Sequence, residues 1–199
     1  MKHGEKRDET MILAIMRHGQ TIYNANMRVQ GHANVPLTDK GRQQIKAVAK
    51  KLSEHGEQFD VIASSPLSRA LESAYWVAKK LRHHKPIVVE QRFIERDFNH
   101  LDGEPVESAM PLVREPGYSH EGYEDDGKLI NRVVRAALKM DARFHGQKVL
   151  MVAHSHVIKS LLIHAEPDHW SFRDFINHGD LFYFDISQGT IKFLERKKA

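Results

Sequence analysis

Arginine and histidine side chains lie at three points of the chain where they could act together on an anion. Arg17 and His18 directly follow an apolar run. Arg69 comes shortly after a Ser-Ser-Pro segment, and His154 follows a second apolar run. Arginine can hold a phosphate through two parallel hydrogen bonds, and histidine can act as a nucleophile or proton carrier near neutral pH. Together these residue types favour phosphoryl transfer, in which arginines offset the charge of the phosphoryl oxygens and one imidazole attacks phosphorus.

Strand ends are predicted to position these side chains. The three segments that precede them are short and mainly apolar, as buried strands are. They span residues 11–15, 59–63 and 148–153. In an open α/β sheet the carboxyl ends of parallel strands share one edge, where ligands bind. The arginines and histidines are therefore expected to converge on one crevice, and Gly19 is expected to let the backbone approach a ligand closely.

Helical patterns separate the predicted strands. Apolar residues recur at helical spacing in four segments, and a further short helix is expected over residues 172–177. The four segments span residues 39–55, 67–81, 125–144 and 157–164. A strand is expected at residues 87–90, and the segments 181–186 and 190–194 are expected to form a closing hairpin. This alternation predicts a three-layer α/β/α sandwich with a mostly parallel central sheet.

The chain is interpreted as one domain with a tail and an insertion. Residues 1–10 are predicted to form a flexible polar tail, and residues 11–199 a single catalytic domain. Residues 93–124 contain several glycines and prolines. This segment is expected to be an insertion that caps the crevice, with one short helix near residues 107–113.

Composition narrows the class of protein. The 199 residues carry a modest formal net charge of +4, and the basic residues are spread along the chain rather than clustered, which argues against a nucleic-acid partner. There is no cysteine, which excludes disulfides, thiol catalysis and cysteine-ligated metal. No apolar run has membrane-spanning length, and the first ten residues lack the apolar core of a secretory signal. A cytoplasmic protein is therefore expected.

Five segments resemble, in order, those of the histidine phosphatase superfamily, also called the phosphoglycerate-mutase-like family. The segments are Arg17-His18-Gly19-Gln20-Thr21 with Asn24; Gly31 with Pro36-Leu37-Thr38 and Gly41; Ser64-Ser65-Pro66-Leu67-Ser68-Arg69-Ala70; Glu95-Arg96-Asp97-Phe98 with Gly103; and His154. Each segment alone is a weak signal, but five in order form a strong one. The resemblance implies a phosphoglycerate-mutase-like fold.

The resemblance also implies roles for single residues. His18 is expected to be the nucleophile that forms a phosphohistidine. Glu95 is expected to protonate the leaving oxygen and later to accept a proton from the attacking water, with Asp97 as a nearby competitor for this role. The remaining phosphate- and substrate-binding positions are expected to be Arg17, Asn24, Gly31, Arg69, His154 and Ser155. No metal and no cofactor is implied, because two arginines and a charged histidine already supply positive charge.

The sequence departs from the family pattern at a few positions. Asn99 stands where the family often has glycine, and Asp102 where it often has glutamate. The segment His154-Ser155-His156-Val157 replaces a commoner Ser-His-Gly-Gly type. His156 is expected to narrow the pocket floor or to contact the substrate, and a metal pair formed by His154 and His156 is disfavoured because no further ligand is evident.

The favoured function is that of a phosphomonoesterase acting on a small molecule. Mutases of the family generally have a longer, arginine-rich insertion, whereas residues 105–127 contain only Arg114. A non-catalytic phosphate-binding module is the second alternative, and it is disfavoured because His18, Arg69 and His154 are all present. The physiological substrate is left open, and so is a homodimer.

Overall fold

A six-stranded sheet forms the centre of the protein in the computed structural model, which describes residues 10–115 and 117–199. The strands are β1 (Met11–Arg17), β2 (Val61–Ser64), β3 (Val88–Val89), β4 (Lys148–Ala153), β5 (Leu181–Ser187) and β6 (Thr190–Lys197). The helices are α1 (Ile22–Ala25), α2 (Asp39–Glu54), α3 (Ser68–Lys80), α4 (Val106–Val113), α5 (Asp126–Phe144) and α6 (Ser155–Ala165). Residues 1–9 of the predicted polar tail lie outside the described residues.

The strand order explains how separate motifs meet. The order is β3-β2-β4-β1-β5-β6, and the first four strands are parallel to one another. Strand β4 therefore lies between β1 and β2, with Arg17 paired to Ala153 and Ser64 paired to Val152. The three strands that precede the candidate residues end side by side at one edge of the sheet. The hairpin of β5 and β6 continues the sheet in antiparallel orientation beyond β1.

Helices cover both faces of this sheet. Along β1, Leu13 and Ile15 point into one apolar cluster, which α5 and α6 complete. Ala14 and Met16 point into a second cluster, which α2 and α3 complete. This alternation follows from the two-residue period of a strand. Each fully buried leucine or isoleucine contributes about 1.5–3 kcal/mol through burial of its side chain, so the sequence positions these residues in a three-layer sandwich, as predicted.

The segment between β3 and α5 contains its own small structures. Two 3₁₀ turns, Gln91–Phe93 and Asn99–Leu101, precede α4. Phe98 and Leu101 are buried with Ala109 of α4 and with Tyr123 in a third apolar cluster. The predicted short helix is thus confirmed. The cluster fixes this segment over the end of the sheet, where α4 forms one wall of a crevice.

The helix predicted over residues 172–177 is wrong. Residues 166–180 form an irregular loop between α6 and β5. Asp174 accepts hydrogen bonds from the amide and the hydroxyl of Ser171, and Lys159 donates to the carbonyl oxygen of Phe172. These side chains use backbone groups that a helix would need and so favour a turn.

No helix in the described part of the chain is both long and apolar enough to cross a membrane.

Candidate active site

His18 follows the last residue of β1 and is almost completely buried. Its amide donates to the carbonyl oxygen of Ala153, which fixes the residue beside the end of β4. The ring Nδ1 lies 2.7 Å from the carbonyl oxygen of Gly19. A proton on Nδ1 satisfies that contact and leaves an unprotonated Nε2. Burial, and then the charge of Arg69, hold the pKa of His18 well below its ordinary value, so the ring is neutral and nucleophilic near pH 7.

Gly19 is required for packing, a role that the sequence-based expectation of a close ligand approach did not include. A Cβ atom on Gly19 would lie 2.5 Å from the carbonyl oxygen of Gly41, in the first turn of α2. In the same contact, a Cβ on Gly41 would lie 2.1 Å from the carbonyl oxygen of Gln20. The two glycines therefore let the backbone after β1 lie directly against α2, and this contact helps to hold His18 in place.

Arg17 and Arg69 are cations whose partners are carbonyl oxygens. Arg17 donates through Nη1 to Ile176, while Arg69 is fully buried and donates to Gly31 and Ala33 at 2.8 Å each. Neither guanidinium forms an ion pair with a carboxylate within the described residues, and both Nε atoms are buried without a hydrogen-bond partner there. Burial lowers the pKa of both to about 10, partly offset by Glu95. Both stay charged and can neutralise a bound anion.

Gly31 and Asn24 lie near these arginines in different ways. The carbonyl oxygen of Gly31 accepts from Arg69, and its amide donates to Asp102 at 2.9 Å. Gly31 therefore positions Arg69, and its amide is not free for a phosphate, contrary to the role expected from the sequence. The Asn24 Oδ1 accepts from the Thr21 amide, and Asn24 lines the crevice. Its amide nitrogen remains available as a donor.

His154 is fully buried at the end of β4. Its Nε2 lies 2.7 Å from the Ser65 hydroxyl, and its ring centroid lies 5.1 Å from that of His18. Burial and the charge of Arg69 hold the pKa of His154 well below its ordinary value. The ring is thus neutral in the free site, which corrects the expectation of a charged histidine; the arginines supply the positive charge. If Ser65 donates to Nε2, the proton of His154 is on Nδ1, which is buried and has no partner among the described residues.

Glu95 is the carboxylate of this crevice. Its Oε1 accepts from the Arg96 amide at 2.9 Å, and its Oε2 accepts from the His156 amide at 3.3 Å. Burial raises the pKa of Glu95, but the contacts with His156, the proximity of His154 and the Arg96 amide outweigh it, and the pKa lies below its usual range. Asp97, the alternative, has a side chain that is 40% exposed, lies 3.6 Å from His32 and faces a different groove.

A crevice of about 210 Å³ opens between α4, α6 and the loop of residues 166–180. His18, Arg17 and Glu95 line it, together with Ser155 at the first turn of α6. Arg69 and His154 are fully buried and do not line it. Its apolar wall is formed by Val29, Phe98, Val106, Met110 and Phe175. The crevice thus joins a nucleophile, cations and a carboxylate to an apolar surface.

His156 separates this crevice from a wider groove of about 430 Å³. Its ring stacks on Phe172 at 5.5 Å and meets the edge of Phe98 at 5.2 Å, and its Nδ1 lies 3.9 Å from Glu95. The ring of His156 therefore packs against both aromatic rings while its Nδ1 lies near Glu95. No group of three or more metal-ligating side chains occurs within residues 10–115 and 117–199.

Three residues of the site were not identified from the sequence. Arg132 on α5 donates to the carbonyl oxygens of residues 92, 94 and 95 and forms an ion pair with Glu124. Lys159 on α6 is buried beside the crevice, and the Nδ1 of His178 lies 2.9 Å from the His18 carbonyl oxygen. Arg132 and His178 occur in polar or amphipathic stretches that are typical of a solvated surface, and Lys159 is one polar residue of a largely apolar helix, so their sequence contexts gave no signal.

Comparison with known proteins gives consistent matches. The model of the histidine phosphatase superfamily (branch 1) matches residues 13–194. Phosphoglycerate mutase-like protein 4 of Arabidopsis thaliana is 30% identical over 169 residues, which cover 78% of this chain and 71% of that protein. The uncharacterized phosphatase PhoE of Bacillus subtilis (strain 168) is 32% identical over 152 residues, which cover 75% of each chain. The crystal structure of phosphoglycerate mutase from Bacillus anthracis str. Sterne has the same fold, with a TM-score of 0.83, 21% identity, and coverage of 96% of this chain and 94% of that chain.

Proposed function

The chain belongs to the histidine phosphatase superfamily, and on that premise we propose that it is a phosphomonoester hydrolase that works through a phosphohistidine on His18. One observation carries this proposal. A neutral, buried imidazole with an unprotonated Nε2 lines the crevice, and the guanidinium groups of Arg17 in the crevice and of the buried Arg69 donate to carbonyl oxygens rather than to carboxylates. Positive charge that no carboxylate neutralises by direct contact suits an anion with several oxygens, such as a phosphoryl group.

In the first step, Nε2 of His18 attacks phosphorus and forms a P–N bond as the P–O bond to the leaving group breaks. Arg17 and Arg69 stabilise the charge on the phosphoryl oxygens, and the Nδ1–H of His154 adds a neutral donor. The Gly19 carbonyl stabilises the positive charge that develops on the attacking ring through its hydrogen bond to Nδ1.

Glu95 supplies the proton that the leaving oxygen needs. In the free crevice its carboxylate is ionised, because its pKa lies below the usual range. A bound phosphoryl group brings negative charge next to the carboxylate and thereby favours its protonated form. A substrate that enters as the monoanion carries the required proton with it. Glu95 then passes this proton to the departing alkoxide, and the alcohol leaves.

In the second step, water replaces the alcohol. Glu95, now a carboxylate, accepts a proton from the water, whose oxygen attacks phosphorus while the P–N bond breaks. Glu95 returns the accepted proton to the departing phosphate, so that inorganic phosphate leaves as a monoanion, and His18 is again neutral and Glu95 again ionised. Splitting the reaction in this way replaces one difficult displacement with two easier ones.

Phosphoglycerate mutase activity is a second candidate. The names of the Arabidopsis relative and of the Bacillus anthracis neighbour favour it. The crevice also has two further arginines at its rim, Arg28 and Arg114, which could hold a substrate carboxylate. Hydrolysis remains the preferred function, because mutases of the family generally have a longer, arginine-rich insertion. In the sequence from residue 105 to residue 127, Arg114 is the single arginine.

A phosphate-release screen with a panel of phosphomonoesters tests the proposal. We expect at least one substrate to release phosphate and the wild-type protein to take up an acid-labile, stoichiometric phosphoryl label that His18→Ala lacks. Isomerisation of phosphoglycerate faster than phosphate release would instead show a mutase. Absence of both label and turnover with every substrate would support a phosphate-binding module without catalysis.

A further inference from the structure

Lys159 is a buried cation that the phosphohistidine mechanism does not use. It lies on α6, one turn after Ser155 and His156 and therefore on the same face of the helix. Only 7% of the residue is exposed, and it lines the crevice. Lysine is rarely buried without an anionic partner, so this position needs an explanation.

The contacts of the ammonium group are incomplete. Among the residues that the structure describes, Nζ has a single hydrogen-bond partner, the Phe172 carbonyl oxygen at 3.0 Å. An ammonium group has three N–H donors. No carboxylate of the described residues lies within ion-pairing distance, although Glu95 and Asp174 act on it electrostatically. Two donors therefore remain for a ligand.

The position of Lys159 relative to Glu95 indicates which part of a ligand it would meet. Glu95 is the expected proton donor to the leaving oxygen, so the part of the crevice around it faces the leaving group. Lys159 lines the same crevice as Glu95, and the Glu95 carboxylate acts electrostatically on its ammonium group. The two guanidinium groups that are expected to hold the phosphoryl group belong to Arg17 and Arg69, and they use other carbonyl partners.

We propose that Lys159 is a specificity-determining residue, which binds a second anionic group, a carboxylate or a phosphate, on the leaving group of the substrate. This inference rests on the proposed hydrolase function and extends it to a class of substrate. The exposed Arg28 and Arg114 also line the crevice and add positive charge to it, with weaker effect because water screens them.

Charged and titratable groups around Lys159 set the pH range of this interaction. The groups that act on its ammonium are Arg17, Glu95, Arg96, His156 and Asp174. Burial lowers the pKa of Lys159 to about 8, with Glu95 acting in the opposite direction. The ammonium is present below this pH and is lost above it. Affinity for a second anion should therefore fall as pH rises through about 8.

Three aryl phosphates with the same ring test the proposal: phenyl phosphate, 3-carboxyphenyl phosphate and 1,3-phenylene bisphosphate. We expect Lys159→Met to raise KM for the carboxylated ester, the bisphosphate or both by roughly tenfold, and to change KM for phenyl phosphate less than about threefold. Lys159→Arg should retain most of the discrimination. Whichever anionic ester responds identifies the anion as carboxylate or phosphate.

Two controls separate recognition from structure. Lys128→Met removes the same charge from an exposed lysine, whose side chain is 74% accessible, and should leave all three KM values unchanged. In the wild-type protein, KM for the responding anionic ester should rise above about pH 8, and this rise should be absent in Lys159→Arg. Equal changes in KM for all three substrates in Lys159→Met would overturn the proposal. Lys159 would then have only a structural role, through its hydrogen bond to the Phe172 carbonyl oxygen.

Binding without turnover keeps this test independent of the hydrolase proposal. Calorimetry with benzylphosphonate and 3-carboxybenzylphosphonate compares the same anions on groups that cannot be cleaved. Tighter binding of the carboxylated ligand, lost in Lys159→Met, would support the Lys159 site even if every ester resisted hydrolysis. Equal binding of the carboxylated ligand by wild-type protein and Lys159→Met, together with unchanged KM for the bisphosphate, would overturn the site whatever the enzyme hydrolyses.

Discussion

Buried cations occur in two regions of this molecule with different partners. Beneath the cap, Arg96 forms an ion pair with Asp126, and Arg132 forms one with Glu124. Arg17 at the end of β1 and Arg69 in the first turn of α3 have carbonyl partners instead. A buried charge is costly unless it is paired, so the first region contains its own compensation, whereas the arginines of the second form no ion pair with a carboxylate of the described residues. The difference favours the second region as the proposed ligand site.

The region with the ion pairs has a structural role that supports the candidate ligand site. Arg132 donates to the carbonyl oxygens of residues 94 and 95 while Glu124 neutralises it. Arg96 packs its guanidinium over Phe172 at 4.4 Å and also donates to the Tyr123 hydroxyl. Together the two arginines fix the segment on which Glu95 lies. Substitutions at the candidate ligand site should therefore reduce the rate more than the stability, and substitutions in the ion-paired region should reduce the stability more than the rate.

Arg69→Met should have the largest effect on rate. Loss of the Arg69 guanidinium, which is proposed to stabilise the phosphoryl oxygens, should reduce kcat/KM by on the order of 10³. The unfolding free energy should change by only about 1 kcal/mol, because the substitution removes an uncompensated buried charge. Initial rates and urea unfolding measure the two quantities. A large loss of stability with little loss of rate would place Arg69 among the structural arginines.

Glu95→Gln should give the second-largest effect. An amide cannot transfer the proton, so kcat for an alkyl phosphate should fall by about 10², and an aryl ester with a more acidic leaving group should lose less. Asp97→Asn is the matched control, because Asp97 is half exposed and lies outside the crevice. Equal losses in both variants, or a larger loss in Asp97→Asn, would move the acid role to Asp97.

Arg132→Met should affect stability more than rate, which is the reverse of the expectation for Arg69→Met. Breaking its ion pair leaves Glu124 buried and should lower the unfolding free energy by about 2 kcal/mol, with a roughly tenfold loss of kcat/KM through displacement of Glu95. The phosphoryl label on His18 should persist. The double variant Arg132→Met/Glu124→Gln should be less destabilised than the sum of the single variants. Additive losses would show that the two side chains are not coupled.

The central layers and the position of the proposed nucleophile, His18, can be predicted from local sequence. The apolar runs before Arg17 and His154 define buried strands by composition alone, and the order of the motifs fixes the family. The neutral state of His154 does not follow from its sequence, since it results from burial beside Arg69. Gly31 and Gly19 are required by contacts with residues distant in the chain, so their structural roles were not predictable.

Other residues of the site depend on still longer-range contacts. Arg132 meets carbonyl groups about forty residues away, at Arg92. Lys159 looks like one polar residue in an apolar helix until the loop of residues 166–180 covers it. Residues 172–177 of that loop were predicted to form a helix from their local pattern, which does not reveal the hydrogen bonds between Ser171 and Asp174. Tertiary contacts thus override local preference where the site is completed.

The protonation of His18 provides the smallest and most selective test of the comparison. An imidazole with the ordinary pKa of about 6.5 would be roughly nine-tenths protonated at pH 5.5. Burial, followed by the charge of Arg69, holds the pKa of His18 well below that value. The ring should therefore be less protonated at pH 5.5 than an ordinary imidazole, and its titration should be displaced to lower pH.

Substitution of each class of arginine should change this titration differently. Arg69→Met removes one positive charge that opposes protonation, so the pKa of His18 should rise toward 6.5, although burial still limits the rise. Arg132→Met should change it much less, because the leading influences on the pKa of His18 are burial, Arg69 and His154 rather than Arg132. Histidine ring signals followed by NMR from pH 7.5 to 5 measure the titration, and the signal missing in His18→Ala gives the assignment. Equal shifts in both variants would mean that the uncompensated arginine exerts no special field on the nucleophile, and the distinction between the two regions would then reduce to packing.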